Sequence, residues 1–77
     1  MRRLLMLLAI YVFSTAYYKY AFELRNVLYV YTQYDRYLVV VFKNTDKQIE
    51  ADYYGGRERC AEELNKLIEK LNNDEEK

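Results

Sequence analysis

Breaks recur along this chain at nearly constant intervals. Ser14-Thr15, Arg25-Asn26, Asp35-Arg36, Asn44-Thr45-Asp46 and Gly55-Gly56 begin 11, 10, 9 and 11 residues apart. Between them lie runs dense in Val, Ile, Leu, Phe and Tyr, and the chain has no proline to interrupt any of them. An interval of that size suits a strand of about five or six residues plus its turn. The beat therefore predicts consecutive antiparallel strands, each hydrogen-bonded to the one before.

The pattern within each run supports this. Tyr18, Tyr20, Phe22 and Leu24 alternate with Lys19, Ala21, Glu23 and Arg25, which is the period of a half-buried strand. Val27 to Tyr34 is rich in β-branched and aromatic residues. Tyr37 to Lys43 is apolar on both faces, with Tyr37, Val39 and Val41 on one and Leu38, Val40 and Phe42 on the other; such a strand belongs at the centre of a sheet. From Gln48 to Tyr54 the alternation returns, Ile49, Ala51 and Tyr53 opposing Gln48, Glu50 and Asp52. After the two glycines the period changes. Cys60, Ala61, Leu64, Leu67, Ile68 and Leu71 recur every three or four residues, which predicts an amphipathic helix from Arg57 to Leu71 and a polar tail after it. The expected fold class is α+β: an antiparallel β-meander of four to five strands with the C-terminal helix packed on one sheet face. Residues 1–72 form the expected single domain and 73–77 a flexible tail.

The N-terminus admits three readings. Leu4 to Phe13 is an uninterrupted apolar run behind Arg2 and Arg3. It fits the beat as a strand buried on both faces. Ser14-Thr15-Ala16 after it also matches a signal-peptide cleavage site. Extended to Phe22, the run spans about 28 Å as a helix, close to a bilayer core. The strand reading implies a cytoplasmic protein. The others imply an exported or membrane-anchored one using residues 1–22.

A single helix covers only one face of a sheet, yet the strand Tyr37 to Lys43 is apolar on two. Something has to cover the second face, since bare apolar surface costs about 25 cal/mol per Å². A second copy of the chain is the expected cover, giving a homodimer.

Composition excludes much chemistry. There is no histidine and a single cysteine, so a catalytic triad, a histidine metal site and an internal disulfide cannot be built. Cys60 sits on the apolar stripe of the helix and reads as a small core residue. Gly55-Gly56 ahead of a helix lacks the further glycines or the Lys-Ser/Thr of a phosphate loop and reads as a turn. No carboxylate pair stands out. An enzyme is not expected, and no cofactor is implied. Formal net charge is zero, which argues against nucleic acid. The charge is uneven: Met1 to Lys43 holds six basic and two acidic residues, Asn44 to Lys77 six basic and ten acidic.

Ten tyrosines in 77 residues are the oddity. Aromatic cross-strand pairs stabilise sheets, and tyrosine is also enriched at protein interfaces. The expected binding face comprises Tyr29, Tyr31, Tyr37, Tyr53 and Tyr54 with Arg36. Stacking of single-stranded nucleic acid on exposed rings is the alternative use. From Leu24 to Leu71 the chain resembles short stand-alone phage and mobile-element accessory proteins with a strand meander and one amphipathic helix. That resemblance carries no activity and assigns no residue; the two-sided apolar centre, the tyrosine excess and the lack of catalytic groups are what point to a small protein-binding module, an adaptor or inhibitor, that also self-associates.

Overall fold

The computed structural model describes residues 9–75. It is α+β, with five antiparallel strands and a C-terminal helix: β1 (Ile10–Ser14), β2 (Lys19–Glu23), β3 (Val27–Gln33), β4 (Tyr37–Phe42), β5 (Gln48–Asp52) and α1 (Arg57–Glu75). β1 runs up to the first predicted break, ending on Ser14, and each later strand falls between two of the breaks.

The strands do not form one meander. They divide into a hairpin, β1–β2, and a three-stranded sheet in the order β3-β4-β5. The division falls at Leu24–Asn26, a single turn of 3-10 helix that carries the chain from one sheet to the other. Its ends are tied to both: the Leu24 amide donates to the Ala9 carbonyl, and the Lys43 amide to that of Asn26. The hairpin thereby becomes a second layer instead of two further strands.

That layering answers the covering problem for one face. β1 and β2 pair Tyr11 with Phe22 and Phe13 with Tyr20 on a single side of the hairpin. These rings pack within 5.1–6.2 Å of one another, and Phe22 meets Phe42 of β4 edge-on at 5.5 Å. Beside them α1 contributes Cys60, Leu64, Leu67 and Leu71. Hairpin and helix together cover the inner face of the sheet, where Leu38, Val40, Ala51 and Tyr53 are buried in one core. The Tyr11 hydroxyl, donating to the Glu63 carboxylate, links the two covering elements.

Three expectations need correction. The first strand is buried on one face, not both. Tyr11 and Phe13 face the core, but Ile10 and Val12 are each 53% exposed, because among the described residues no element packs outside the hairpin. Leu4 to Leu8 lies outside the described residues. The apolar stripe of α1 is narrower than predicted: Cys60, Leu64, Leu67 and Leu71 face inward, whereas Ala61 is exposed and Ile68 is 40% exposed. The helix also continues past Leu71 to Glu75, through residues expected to be a tail. Among the described residues, no helix is long and apolar enough to cross a membrane.

Candidate functional site

The outer face of the β3–β4–β5 sheet has no layer above it among the described residues. Register fixes its composition. Tyr29, Val41 and Gln48 form one cross-strand row, Tyr31, Val39 and Glu50 the next, and Gln33, Tyr37 and Asp52 the third. Tyrosine fills one edge, aliphatic and aromatic groups the centre, and polar groups the other edge. Val39 is nevertheless fully buried. Among the described residues its cross-strand neighbours on this face are Tyr31 and Glu50.

The turns at one end of this face hold unusual backbone. Tyr34 and Asp35 link β3 to β4 with φ of 57° and 54°. The Arg36 amide closes that turn onto the Gln33 carbonyl at 3.1 Å. Tyr54 and Gly55 follow β5 with φ of 40° and 87°, and the Gly56 amide closes onto the Tyr53 carbonyl at 2.8 Å. Both reversals are left-handed, the first as hairpin geometry prefers and the second at the passage from β5 into α1, and both place a tyrosine where glycine or asparagine is the comfortable residue. Gly56 avoids a crowded contact: a Cβ there would sit 3.1 Å from the Tyr53 carbonyl oxygen. The Gly56 carbonyl then accepts the Cys60 amide and opens α1. Tyr34 is 83% exposed and Tyr54 61%.

Between these turns lies Arg36. Its Nε and Nη2 donate to the two carboxylate oxygens of Asp52 at 2.7 and 2.9 Å. Its guanidinium carbon stands 5.1 Å from the ring centres of both Tyr37 and Tyr54, within cation–π range. Asp52 Oδ1 also accepts the Tyr54 amide at 2.7 Å, so one carboxylate orients both the arginine and the second tyrosine turn. The paired hydrogen bonds to Asp52 hold the Arg36 pKa above its usual value, and the same bonds hold the Asp52 carboxyl below its own. Both side chains are more than a third exposed, so the pair fixes geometry more than it stabilises the fold. Tyr17, from the hairpin loop, meets Tyr54 edge-on at 5.9 Å. That loop is shaped by Thr15, whose Oγ1 accepts the amides of Tyr17 and Tyr18. Two open grooves flank Arg36. One of about 300 Å³ is lined by Arg36, Tyr54 and Gly55. The other, of about 440 Å³, is bounded by Tyr34, Asp35, Gly55 and Arg57.

Of the residues expected at a binding face, the structure brings together Tyr29, Tyr31, Tyr37, Tyr54 and Arg36. Tyr53 is not with them. It is 7% exposed and points into the core, where its hydroxyl is buried without a hydrogen-bond partner among the described residues. Alternation with Ile49 and Ala51 had already placed it on the inner side. Tyr34, Tyr17 and the anchoring Asp52 were missed. Tyr34 was legible in principle, since a short turn between two strands presents its residues to solvent. Arg36, the one cation among the residues of these rows and turns apart from Arg57, is tied to Asp52, and Glu50 lies beside it; this surface offers no basic track for a phosphate backbone.

No protein-family model, no curated protein and no solved structure matches this chain.

Proposed function

We propose that this chain is a small non-enzymatic module that binds another protein through the outer face of the β3–β4–β5 sheet and the two tyrosine turns at its end. The observation that carries this reading is the placement of Tyr34 and Tyr54. Each is an exposed bulky residue held in left-handed backbone, at a cost of about 1–2 kcal/mol relative to ordinary conformations. Strain kept at two neighbouring exposed positions, on either side of an immobilised arginine, is hard to account for by folding alone. Tyrosine and arginine are the residue types that dominate binding hot spots, and side chains already fixed in place lose little entropy on contact. The half-exposed Tyr29 and Tyr31, with ring centres 6.0 Å apart, extend the same surface along β3.

A photo-crosslinking residue placed at Tyr31 or Tyr34 tests this in the cells that make the protein. Both positions should give a discrete adduct, weakened when Arg36→Ala is added. The same probe at Glu62, on the exposed side of α1, should give none. Equal labelling from Glu62 would remove the outer face as the contact surface.

A further inference from the structure

An unpaired strand edge is a template for another strand, and proteins blunt such edges with charge, proline, bulges or a covering element. Three of the four edges here are blunted. β5 carries Glu50 and Asp52, β2 carries Lys19 and Glu23, and the register of β3 shifts between Val27 and Tyr29. β1 has none of these devices. Its five residues, Ile-Tyr-Val-Phe-Ser, include no charge and no proline, and its register with β2 is unbroken. The element beside it is α1, and the two do not close on each other. A cleft of about 400 Å³ separates them, lined on one side by β1 from Tyr11 to Ser14 and on the other by Glu63, Lys66, Glu69 and Lys70.

Backbone direction within β1 follows from its two ends. The Leu24 amide donates to the Ala9 carbonyl, and the Thr15 amide to that of Tyr18. Ala9 and Thr15 are therefore hydrogen-bonded positions of the hairpin ladder, and alternation makes Tyr11 and Phe13 the others. Val12 and Ser14 then direct their amides and carbonyls away from β2. The cleft lies on that side, since no residue of β2 lines it. Among the described residues, neither Val12 nor Ser14 has a backbone partner there. Tyr11 and Phe13 turn their rings down into the core beneath, while Val12 stays half-exposed above.

We infer that the cleft between β1 and α1 is a docking site whose occupant is an extended, acidic peptide segment of a partner protein, pairing with β1 as a third strand of the hairpin sheet. Backbone chemistry selects this occupant. Val12 and Ser14 each offer a donor and an acceptor, two residues apart on a straight edge, and that repeat is the one another extended strand presents. Charge narrows the sequence. The Glu63 carboxylate already accepts the Tyr11 hydroxyl, which leaves the ammonium groups of Lys66 and Lys70 and the single carboxylate of Glu69 to meet a ligand. Both lysines are exposed, and Lys66 makes no ion pair among the described residues. Four residues apart, they stand on one face of the helix, alongside the far edge of an added strand. Such a strand would alternate. Its apolar side chains would turn down beside Tyr11 and Phe13, and its acidic ones up beside Val12, within reach of the lysines. A few paired residues bury little area, so a weak, transient complex is expected. The cleft uses none of the tyrosines of the outer face, so it stands or falls separately from the function proposed above.

The test is titration of the full chain with a capped hexapeptide of alternating valine and glutamate, followed by amide chemical shifts and amide exchange. The amides of Val12 and Ser14 should shift and gain protection together as peptide is added. Val12→Pro removes a cleft-facing amide that β2 does not use, and proline is tolerated on the open side of an edge strand; it should weaken binding about tenfold. Lys66→Glu combined with Lys70→Glu should weaken binding about fivefold at low salt, and should strengthen binding of the alternating valine–lysine peptide, a reversal that misfolding cannot produce. Protection of Val12 and Ser14 in the chain alone would mean that the chain or a second copy of it already fills the cleft, and would overturn the proposal. A peptide that moves neither amide would do so too, as would binding indifferent to both Val12→Pro and the lysine replacements. Shifts confined to Tyr31 and Tyr34 would overturn it while leaving the outer-face reading in place.

Discussion

Val39 and Val40 are neighbours in β4, and both are fully buried. They differ in what buries them. Val40 faces inward, between Val30 and Ile49 of the adjacent strands and beneath a layer of aromatic rings and helix leucines. Val39 faces outward, between Tyr31 and Glu50, with no layer above it among the described residues. Equal burial therefore arises in two ways: a packed second layer on one side, and a rim of long side chains leaning over a small one on the other. The first is rigid because every neighbour is itself held. The second is adaptable, because Tyr29 and Tyr31 remain half-exposed and can move.

The same substitution on each face measures that difference. Val40→Ala should cost about 2–3 kcal/mol, because the surrounding core cannot close around the lost methyl groups. Val39→Ala should cost about 1 kcal/mol, because the tyrosine rims can settle into the space. Urea unfolding of the two variants decides it. Equal losses would mean that the outer face is a second core, and would revive the idea that another layer covers it.

Alkaline pH separates the faces through their tyrosines. Burial is the main cause holding the hydroxyls of Tyr11 and Tyr53 far above their ordinary pKa, with the nearby Glu63 carboxylate adding to it. In the unfolded chain both ionise near pH 10, whereas in the folded chain they keep their protons. Above that pH the unfolded state binds fewer protons than the folded one, so stability falls as pH rises. The expected slope approaches about 1.4 kcal/mol per pH unit for each tyrosine. Replacing both by phenylalanine should flatten this decline. At neutral pH, Tyr53→Phe alone should gain up to about 1 kcal/mol, because it removes a buried hydroxyl that lacks a partner. A loss instead would mean that the hydroxyl has a partner in solution.

Much of this fold could be read from period and spacing. All five strands and the start of the helix fall where the breaks and the alternation put them, and the two faces of β4 carry the predicted residues. The split into two layers was not legible, because it depends on Leu24–Asn26 forming a 3-10 turn, and a three-residue segment carries no periodicity. That miss propagated. With five strands in one sheet, one helix had to cover the whole inner face; with the hairpin folded under, hairpin and helix share that face, while the outer face of the β3–β4–β5 sheet has no layer above it among the described residues. Tyr53 was placed on the binding face by residue type, although its alternation with Ala51 pointed the other way. The Arg36–Asp52 pair joins residues 16 apart in sequence, and only the β4–β5 register brings them together.

The strained turn offers a smaller effect with opposite signs for stability and binding. Tyr34→Asn together with Asp35→Gly places the preferred residues at two left-handed positions and should stabilise the fold by about 1 kcal/mol, read as a raised unfolding midpoint. The same variant removes an exposed ring from the proposed contact surface, so crosslinking at Tyr31 should weaken. A variant that gains stability and loses no contact would show that the outer face does not need its strained turn.

The smallest expected change in stability concerns Arg36. Lysine keeps the charge but loses the paired hydrogen bonds and the flat surface between Tyr37 and Tyr54. Because Arg36 and Asp52 are both substantially exposed, Arg36→Lys should barely shift the melting temperature. It should, however, release the Tyr54 turn, seen as faster exchange of the Tyr54 amide that Asp52 accepts. Acid should mimic the substitution. The Asp52 pKa is lower in the folded chain than in the unfolded one, so its contribution is complete above about pH 4 and disappears as pH falls through the folded value. Arginine at this position would then hold two tyrosines in place for contact without adding much to the fold. On the inner face no such separation is available, because each side chain that positions its neighbours there is also part of the core that keeps the chain folded.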